Sequence, residues 1–150
     1  MNYEITTTDV WSGAVDESPG ALASLLEELE HAGTSLDFLV VRPSANVMSG
    51  QSLVFVAPLT NTQQTTAAAR VGLAPGLHAL RVVGPDQPGI VARITRTLAD
   101  SDILISGVWA AVFGGGVAVY LVLESGADVR RAAKLLSAKL ANQSADWVSP

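Results

Sequence analysis

Two short stretches of the sequence combine an acidic residue, a Pro-Gly pair and the start of an amphipathic helix. They are Glu17-Ser18-Pro19-Gly20 and Asp86-Gln87-Pro88-Gly89, and Pro88 follows Pro19 by 69 positions in a chain of 150 residues. A helix N-terminus offers unpaired N–H groups and a partial positive charge, which suit a carboxylate. The glycine lets a bound group approach the backbone closely. An acid just upstream can hold an ammonium, so each stretch has the residue types to bind a molecule that carries both groups.

The predicted secondary structure repeats around these two stretches. Apolar residues at helical spacing predict one helix from Pro19 to just before Gly33 and another from Pro88 to about Asp100, with Ser18 as the N-cap of the first. In the second helix, we expect Arg93 and Arg96 to point outward. The other elements predicted for the first half are strands at 5–15, 36–41, 53–57 and 71–73 and a helix at 61–70. Those for the second half are strands at 77–83, 103–113, 117–123 and 147–148, a hairpin at 114–116 and a helix at 128–140.

Each half therefore has the order β-α-β-β-α-β. This order predicts an α+β fold of two ferredoxin-like units, each an antiparallel sheet with its helices on one face. The Ala74-Pro75-Gly76 stretch is the clearest break in the pattern. We therefore expect two domains, 1–74 and 75–150.

The composition excludes several classes of protein. Hydrophobic residues make up 49% of the chain and charged ones 15%, which is typical of a folded protein, and no apolar run is long enough for a membrane helix. The first residues, MNYEITTTDV, do not resemble a secretion signal, so we expect a cytoplasmic protein that does not bind membranes. The net charge is −5 with nine scattered basic residues, which argues against nucleic-acid binding.

Groups that could support catalysis are missing from the sequence pattern. There is no cysteine, and His31 and His78 lack the spacing of metal ligands. No phosphate-binding loop or Ser-His-Asp grouping is recognisable. We therefore expect no metal, no cofactor and no enzymatic activity.

The second half of the chain resembles an ACT domain, a regulatory module that binds small molecules. The similarity lies in Asp86-Gln87-Pro88-Gly89-Ile90-Val91 and covers roughly residues 77–140. The longer stretch GPDQPGIVARITRTLAD is similar to the paired ACT domains of glycine-cleavage repressor-like proteins. The first half, about 5–59, fits the pattern through Glu17-Ser18-Pro19-Gly20 and resembles the regulatory segments of aspartokinases.

The resemblance implies that the chain binds an amino acid at an interface between two ACT modules, against the Pro-Gly turn. The carboxylate would face the N–H groups around Gly20-Ala21 or Gly89-Ile90. The ammonium would face an acidic side chain. Many ligand-binding ACT domains have an asparagine early in the second strand, where this chain has Ser35 and Leu104. The expected ligand-binding residues are Glu17, Ser18, Gly20, Ala21, Ser35, Asp37, Asp86, Gln87, Gly89 and Ile90.

Two other functions stay open at this point. The chain can be a ligand-free ACT module that oligomerises and regulates a partner protein by contact alone. It can also be an enzyme of the same broad fold, such as an acylphosphatase-like protein, although no phosphate cradle is recognisable. In each regulatory case we expect a homodimer, formed through the apolar stretch GVWAAVFGGGVAVYLVL.

Overall fold

A computed structural model describes residues 3–46 and 48–146 of the chain. The first five elements are β1 (Glu4–Asp16), α1 (Ala21–His31), β2 (Phe38–Pro43), β3 (Gln51–Ala57) and α2 (Thr62–Arg70). The next five are β4 (Ala74–Pro85), α3 (Ile90–Ala99), β5 (Ile105–Phe113), β6 (Gly116–Leu123) and α4 (Gly126–Asp146). The pairings β1–β3, β2–β3, β4–β6 and β5–β6 are antiparallel, and the predicted α+β, ferredoxin-like fold class is confirmed.

The chain separates into two compact units. The first unit is Asp9–Leu77, and the second unit is Met1–Thr8 together with His78–Pro150. The first residues of β1 thus belong to the second unit, an arrangement that the linear repeat does not indicate. The division into domains 1–74 and 75–150 stays a prediction.

In the first unit, β3 lies between β1 and β2. Its first residue, Gln51, is opposite Asp16 at the end of β1, and its last residue, Ala57, is opposite Phe38 at the start of β2. Helices α1 and α2 pack their apolar sides against the buried side chains of β3. The buried core of this unit consists of Val15, Leu25, Leu29, Ala32, Val54, Val56, Ala67, Ala68 and Leu73.

In the second unit, β6 lies between β4 and β5. Helix α3 is amphipathic as predicted, because Ile90, Ile94 and Leu98 recur at helical spacing and are all buried. Tyr3 and Ile5 of the β1 end pack against the same core. The other buried residues of this core are Leu80, Val82, Ile103, Val117, Val119, Leu121, Leu123, Val129, Ala132, Leu136 and Leu140.

Two further sequence predictions are confirmed. The Gln- and Ala-rich segment forms α2, and its N-cap Asn61 accepts a hydrogen bond from the Gln64 N–H at 2.9 Å. The glycine-rich segment is a hairpin between β5 and β6, with positive φ at Gly114 and Gly115.

Two other predictions need correction. The segment 71–73 is not a strand, because Val71 is the C-cap of α2 and Gly72 continues as a turn. Ala74–Gly76, which marked a break in the sequence, forms the start of β4. Pro75 is accommodated there because proline is tolerated at the beginning of a strand. The strand predicted at Trp147-Val148 lies outside the described residues.

Among the described helices, none is both long enough and apolar enough to cross a membrane.

Candidate ligand-binding site

Each Pro-Gly pair forms a tight turn between a strand and a helix. The Ala21 N–H donates to the Ser18 carbonyl at 3.2 Å, and the Ile90 N–H donates to the Gln87 carbonyl at 3.1 Å. Gly20 has φ 88° and ψ −15°, and Gly89 has φ 80° and ψ 8°. These angles are those of the third residue of a type II turn, which favours proline at the second position and requires a residue tolerant of positive φ at the third. The turn thus explains why both stretches contain Pro-Gly.

The turn also corrects the predicted starts of both helices, since α3 begins at Ile90 and not at Pro88, and α1 is shifted in the same way. Gly20, rather than Ser18, is the N-cap of α1, and the helix begins at Ala21. Pro19 therefore lies in the turn and not at the first helical position. Pro-Gly is typical of a type II turn, but a proline before a helix also fits the first helical position, and the predicted start rests on that second preference.

The turn changes which N–H groups are available to a ligand. The N–H groups of Ala21 and Ile90, both expected to face a ligand, are already hydrogen-bonded within the turns. The first intrahelical bond is donated by Ser24 in α1 and by Arg93 in α3. The N–H groups between these positions have no acceptor within the turn or the helix: Leu22 and Ala23 in α1, and Val91 and Ala92 in α3. Among the described residues, no hydrogen bond partner is found for them.

The other two helices have capped N-termini. Asn61 accepts from the Gln64 N–H in α2, and the Ser125 Oγ accepts from the Asp128 N–H at 3.1 Å in α4. By contrast, neither α1 nor α3 has a side-chain cap, because a glycine occupies the N-cap position of each. The third amide of the helix, Ala23 in α1 and Ala92 in α3, therefore lacks the side-chain acceptor that the third amides of α2 and α4 have.

The hydrogen bonds around the two turns follow the same pattern. The Glu17 N–H donates to the Gly50 carbonyl at 2.9 Å, and the Asp86 N–H donates to the Gly115 carbonyl at 2.9 Å. Each bond ties the end of a strand to the following hairpin of its own unit. The backbone that precedes each uncapped helix is thus held in place in the same way. Gly50 contributes to this through its carbonyl, although it was not among the expected site residues.

The acidic side chains of the two turns, Glu17 and Asp86, are both exposed and differ in their hydrogen-bond partners. Ser52 Oγ donates to Glu17 Oε1 at 3.3 Å. For the Asp86 carboxylate, the described residues provide no hydrogen bond or ion pair within standard distances. Asp86 is therefore the more available of the two for a cation.

In the second unit, Tyr3 lies beside the turn, a position that no feature of the sequence indicated. Its hydroxyl donates to the Pro85 carbonyl at 2.7 Å, and its ring packs on Gly84, where any Cβ would collide with the ring. Burial raises the pKa of Tyr3 above its ordinary value of 10.0, with smaller opposing effects from Arg93, which lowers it, and Asp86, which raises it. No local sequence signal could have identified Tyr3, since it is 82 positions from Pro85.

Arg93 is a second residue that the sequence did not identify as part of the site. We expected its side chain to point outward from α3, but it is half-buried. Its Nη2 donates to Gln87 Oε1 at 3.0 Å, and its Nε is shielded from solvent without a hydrogen-bond partner among the described residues. The guanidinium thus contacts the turn itself.

Ser35 and Asp37 do not join the turn within the first unit. Both are exposed in the loop that follows α1, and the Asp37 N–H donates to the Ala57 carbonyl at 2.9 Å. The Glu17 turn lies instead next to Gly50, at the other end of β3. A strand of this length separates the two ends by about 20 Å. Leu104, in the matching loop of the second unit, is 60% exposed.

Across the described residues, no group of histidine and acidic side chains is arranged to hold a metal ion. The atoms grouped at each turn are backbone amides, a carboxylate and, in the second unit, a guanidinium and a phenol. These groups can bind a small polar molecule by hydrogen bonds and charge.

Comparison with known proteins agrees with this description. Residues 79–147 match the family model described as ACT domain, and the predicted ACT resemblance is confirmed. No curated protein matches the chain.

Solved structures share the fold over nearly the whole chain. Protein BT0572 from Bacteroides thetaiotaomicron has a TM-score of 0.71 at 16% identity, covering 90% of each chain. A structure of the aspartokinase alpha and beta subunits has a TM-score of 0.64 at 18% identity, covering 95% of this chain and 98% of its own. The ligand-free regulatory subunit of aspartate kinase from Thermus thermophilus has a TM-score of 0.59 at 18% identity, covering 89% and 96%.

Proposed function

We propose that this chain is a non-catalytic, cytoplasmic regulatory protein that binds a free amino acid at its Pro-Gly turns. The observation that carries the proposal is the pair of helix N-termini without a side-chain cap. The third amides of α1 and α3, Ala23 and Ala92, have no partner among the described residues, whereas those of α2 and α4 bond to side chains. The ACT domain match to residues 79–147 supports a regulatory role. The fold shared with the regulatory subunit of an aspartate kinase agrees with it.

Each group at the second-unit turn has a role in this proposal. The ligand carboxylate accepts hydrogen bonds from the Val91 and Ala92 N–H groups, where the helix dipole also favours a negative charge. The ammonium pairs with the exposed carboxylate of Asp86. Gly89 leaves the approach open, because no described residue apart from its two chain neighbours places an atom within 4 Å of the position that its Cβ would occupy.

The first-unit turn offers the same arrangement with Leu22, Ala23 and Glu17. Its acid already accepts a hydrogen bond from Ser52, which a ligand would have to replace or share. We therefore place the tighter site at the second-unit turn. Ser35 and Asp37 have no role in the first-unit site of this proposal, because they lie away from the turn within their own unit.

A second candidate function is that of an interaction module without a ligand. Strand β5 pairs with β6 on one side, and it exposes Val108, Val112 and Phe113 at 40%, 63% and 56%. An apolar edge strand of this kind favours pairing with another chain. The same edge is our candidate for a homodimer contact, which light scattering of the wild type and a Val112→Lys variant would test.

A thermal-shift screen with the twenty amino acids tests the proposed binding. A ligand at a hundredfold excess over its Kd adds about 2.7 kcal/mol of stability. For a chain of this length we expect the melting temperature to rise by roughly 5–10 °C.

The site is tested by Asp86→Asn, which keeps the shape of the side chain and removes the charge. We expect the ligand-induced shift to shrink while the melting temperature without ligand changes little. Glu124→Gln is the matched control, since Glu124 is another exposed acid of the second unit. If no amino acid changes the melting temperature, the interaction module becomes the better description.

A further inference from the structure

The two repeats place side chains of opposite charge beside their uncapped helices. Position 93 in α3 corresponds to position 24 in α1 by the offset of 69, so that Arg93 takes the place of Ser24. Both residues donate the first intrahelical hydrogen bond, to Gly89 and Gly20 respectively, at 2.9 Å. The backbone is therefore equivalent at the two positions, and only the second carries a guanidinium.

The surface beside α3 is basic. A groove there is lined by Arg93, Arg96 and Lys139, with hydroxyl groups from threonine and serine and one acid, Asp100. Asp100 pairs with Arg96 at 3.6 Å. Arg93 and Lys139 are left without an ion pair among the described residues, so the groove has a net positive charge within a chain of net charge −5.

The surface beside α1 is acidic. Its groove is lined by Asp16, Ser24 and Glu28 with apolar residues, and no described arginine or lysine contributes to it. Arg70 reaches Glu28 from α2 at 3.7 Å, between exposed side chains. The two candidate sites thus have the same backbone arrangement and differ in the charge of the side chains around them.

Arg93 also has incomplete hydrogen bonding, which among the described buried side chains it shares with Thr34 of the first unit. Its Nη2 is used by Gln87, a residue of the turn, at 3.0 Å, while the Nε donor is shielded from water and has no partner among the described residues. A buried donor without a partner is unfavourable, and a cationic one is best satisfied by an anionic acceptor. The guanidinium is held next to the turn, where a ligand bound to the Val91 and Ala92 amides would present its side chain.

We propose that the second-unit turn selects an amino acid with a second acidic group, and that Arg93 binds that group. The inference rests on the proposed function, since it names the ligand class of the same site. Asp86 pairs with the ammonium and the helix amides hold the α-carboxylate, which leaves the side-chain carboxylate of the ligand for Arg93. The acidic surroundings of the first-unit turn disfavour the same ligand by like-charge repulsion.

Isothermal titration calorimetry with L-glutamate, L-aspartate and their amides L-glutamine and L-asparagine tests this selectivity. We expect at least one acid to bind the wild type about tenfold or more tightly than its amide, as a charge-assisted hydrogen bond allows. In Arg93→Met, which keeps the apolar stem and removes the charge, acid and amide should bind with similar affinity. Arg130→Gln is the control: this exposed arginine of the second unit does not line the groove, and the variant should keep the preference.

Arg93→Lys guards against a folding defect, since it keeps the cation and should retain part of the preference even if Arg93→Met is unstable. Equal affinities for acid and amide in the wild type would overturn the inference and leave the proposed function standing. So would a preference that survives in Arg93→Met. Failure of every amino acid to bind would refute the proposed function, and this inference with it.

Discussion

At the scale of single residues, Gly20 and Gly89 decide the geometry of the candidate sites. Their φ angles of 88° and 80° place them in a region that residues with a Cβ rarely adopt. Apart from the two chain neighbours, no atom of the residues that the structure describes lies within 4 Å of the position that a Cβ would take at either glycine, so space does not explain the choice of glycine. The backbone conformation does, and the missing side chain of the glycine leaves the helix without a cap.

Replacing Gly89 with alanine should therefore destabilise the protein through the backbone alone. We expect a loss of about 1 kcal/mol in the free energy of unfolding, because an L-residue pays this much to stay left-handed. Gly126→Ala is the control, since Gly126 starts α4 without a positive φ and its Cβ would meet only the end of the Arg130 side chain at 3.4 Å. Urea unfolding measures both variants, and equal losses would contradict the assignment.

Tyr3 should make the stability depend on pH in the alkaline range. Because burial raises its pKa in the folded protein, the unfolded chain releases the phenolic proton first, and it binds fewer protons than the folded state between the two pKa values. This contribution to stability is present below the unfolded pKa of 10.0 and is lost as the pH rises through the folded value.

Tyr3→Phe tests this contribution. At neutral pH the variant should lose about 1 kcal/mol with the hydrogen bond to Pro85. From ~pH 9 to ~pH 11 its stability should then fall less steeply than that of the wild type. Parallel curves from chemical unfolding at each pH would show that Tyr3 does not titrate differently in the folded state.

At the scale of elements, one buried amide connects the two helices of the first unit. Gln64 in α2 is 5% exposed. Its Oε1 accepts from the Thr60 N–H at 2.8 Å, and its Nε2 donates to the Gly33 carbonyl, just after α1, at 3.1 Å. The side chain thus fixes the loop before α2 to the end of α1.

Gln64→Ala should cost roughly 2–3 kcal/mol, because it removes these hydrogen bonds and leaves buried groups without partners. Gln63→Ala changes the neighbouring residue of the same type, which is exposed, and should have an effect within about 0.5 kcal/mol. Comparison of the two by urea unfolding isolates the buried hydrogen bonds from helix propensity. Similar losses in both would rule out this role for Gln64.

The elements themselves were predictable, and their ends were less so. The periodicity of α1 and α3 and the glycine hairpin before β6 follow from local sequence. The sequence predicts the start of α1 wrongly, because a proline before a helix fits both the first helical position and the second position of a type II turn. The φ of Gly20 distinguishes the two, and that angle is a property of the folded backbone.

At the scale of the whole molecule, the repeat offset predicted two equivalent turns, and the hydrogen bonds of both turns agree with it. The sequence did not predict that the first residues of β1 belong to the second unit, because this grouping depends on contacts between segments that are distant in the chain. For the same reason it missed Tyr3, and it assigned Arg93 to solvent. The sequence pattern does not predict contacts between residues that the fold brings together from distant parts of the chain.

The most direct test of amino-acid binding at the turns is an NMR titration of the ¹⁵N-labelled protein. With the amino acid that gives the largest thermal shift, we expect the amide signals of residues 20–23 or 89–92 to move progressively and to saturate. The amides at the capped starts of α2 and α4 should stay in place. Two results would contradict amino-acid binding at the turns. One is binding that moves other signals and leaves the signals of both turns unchanged. The other is no change with any amino acid at ~10 mM, since the affinity would then be very weak.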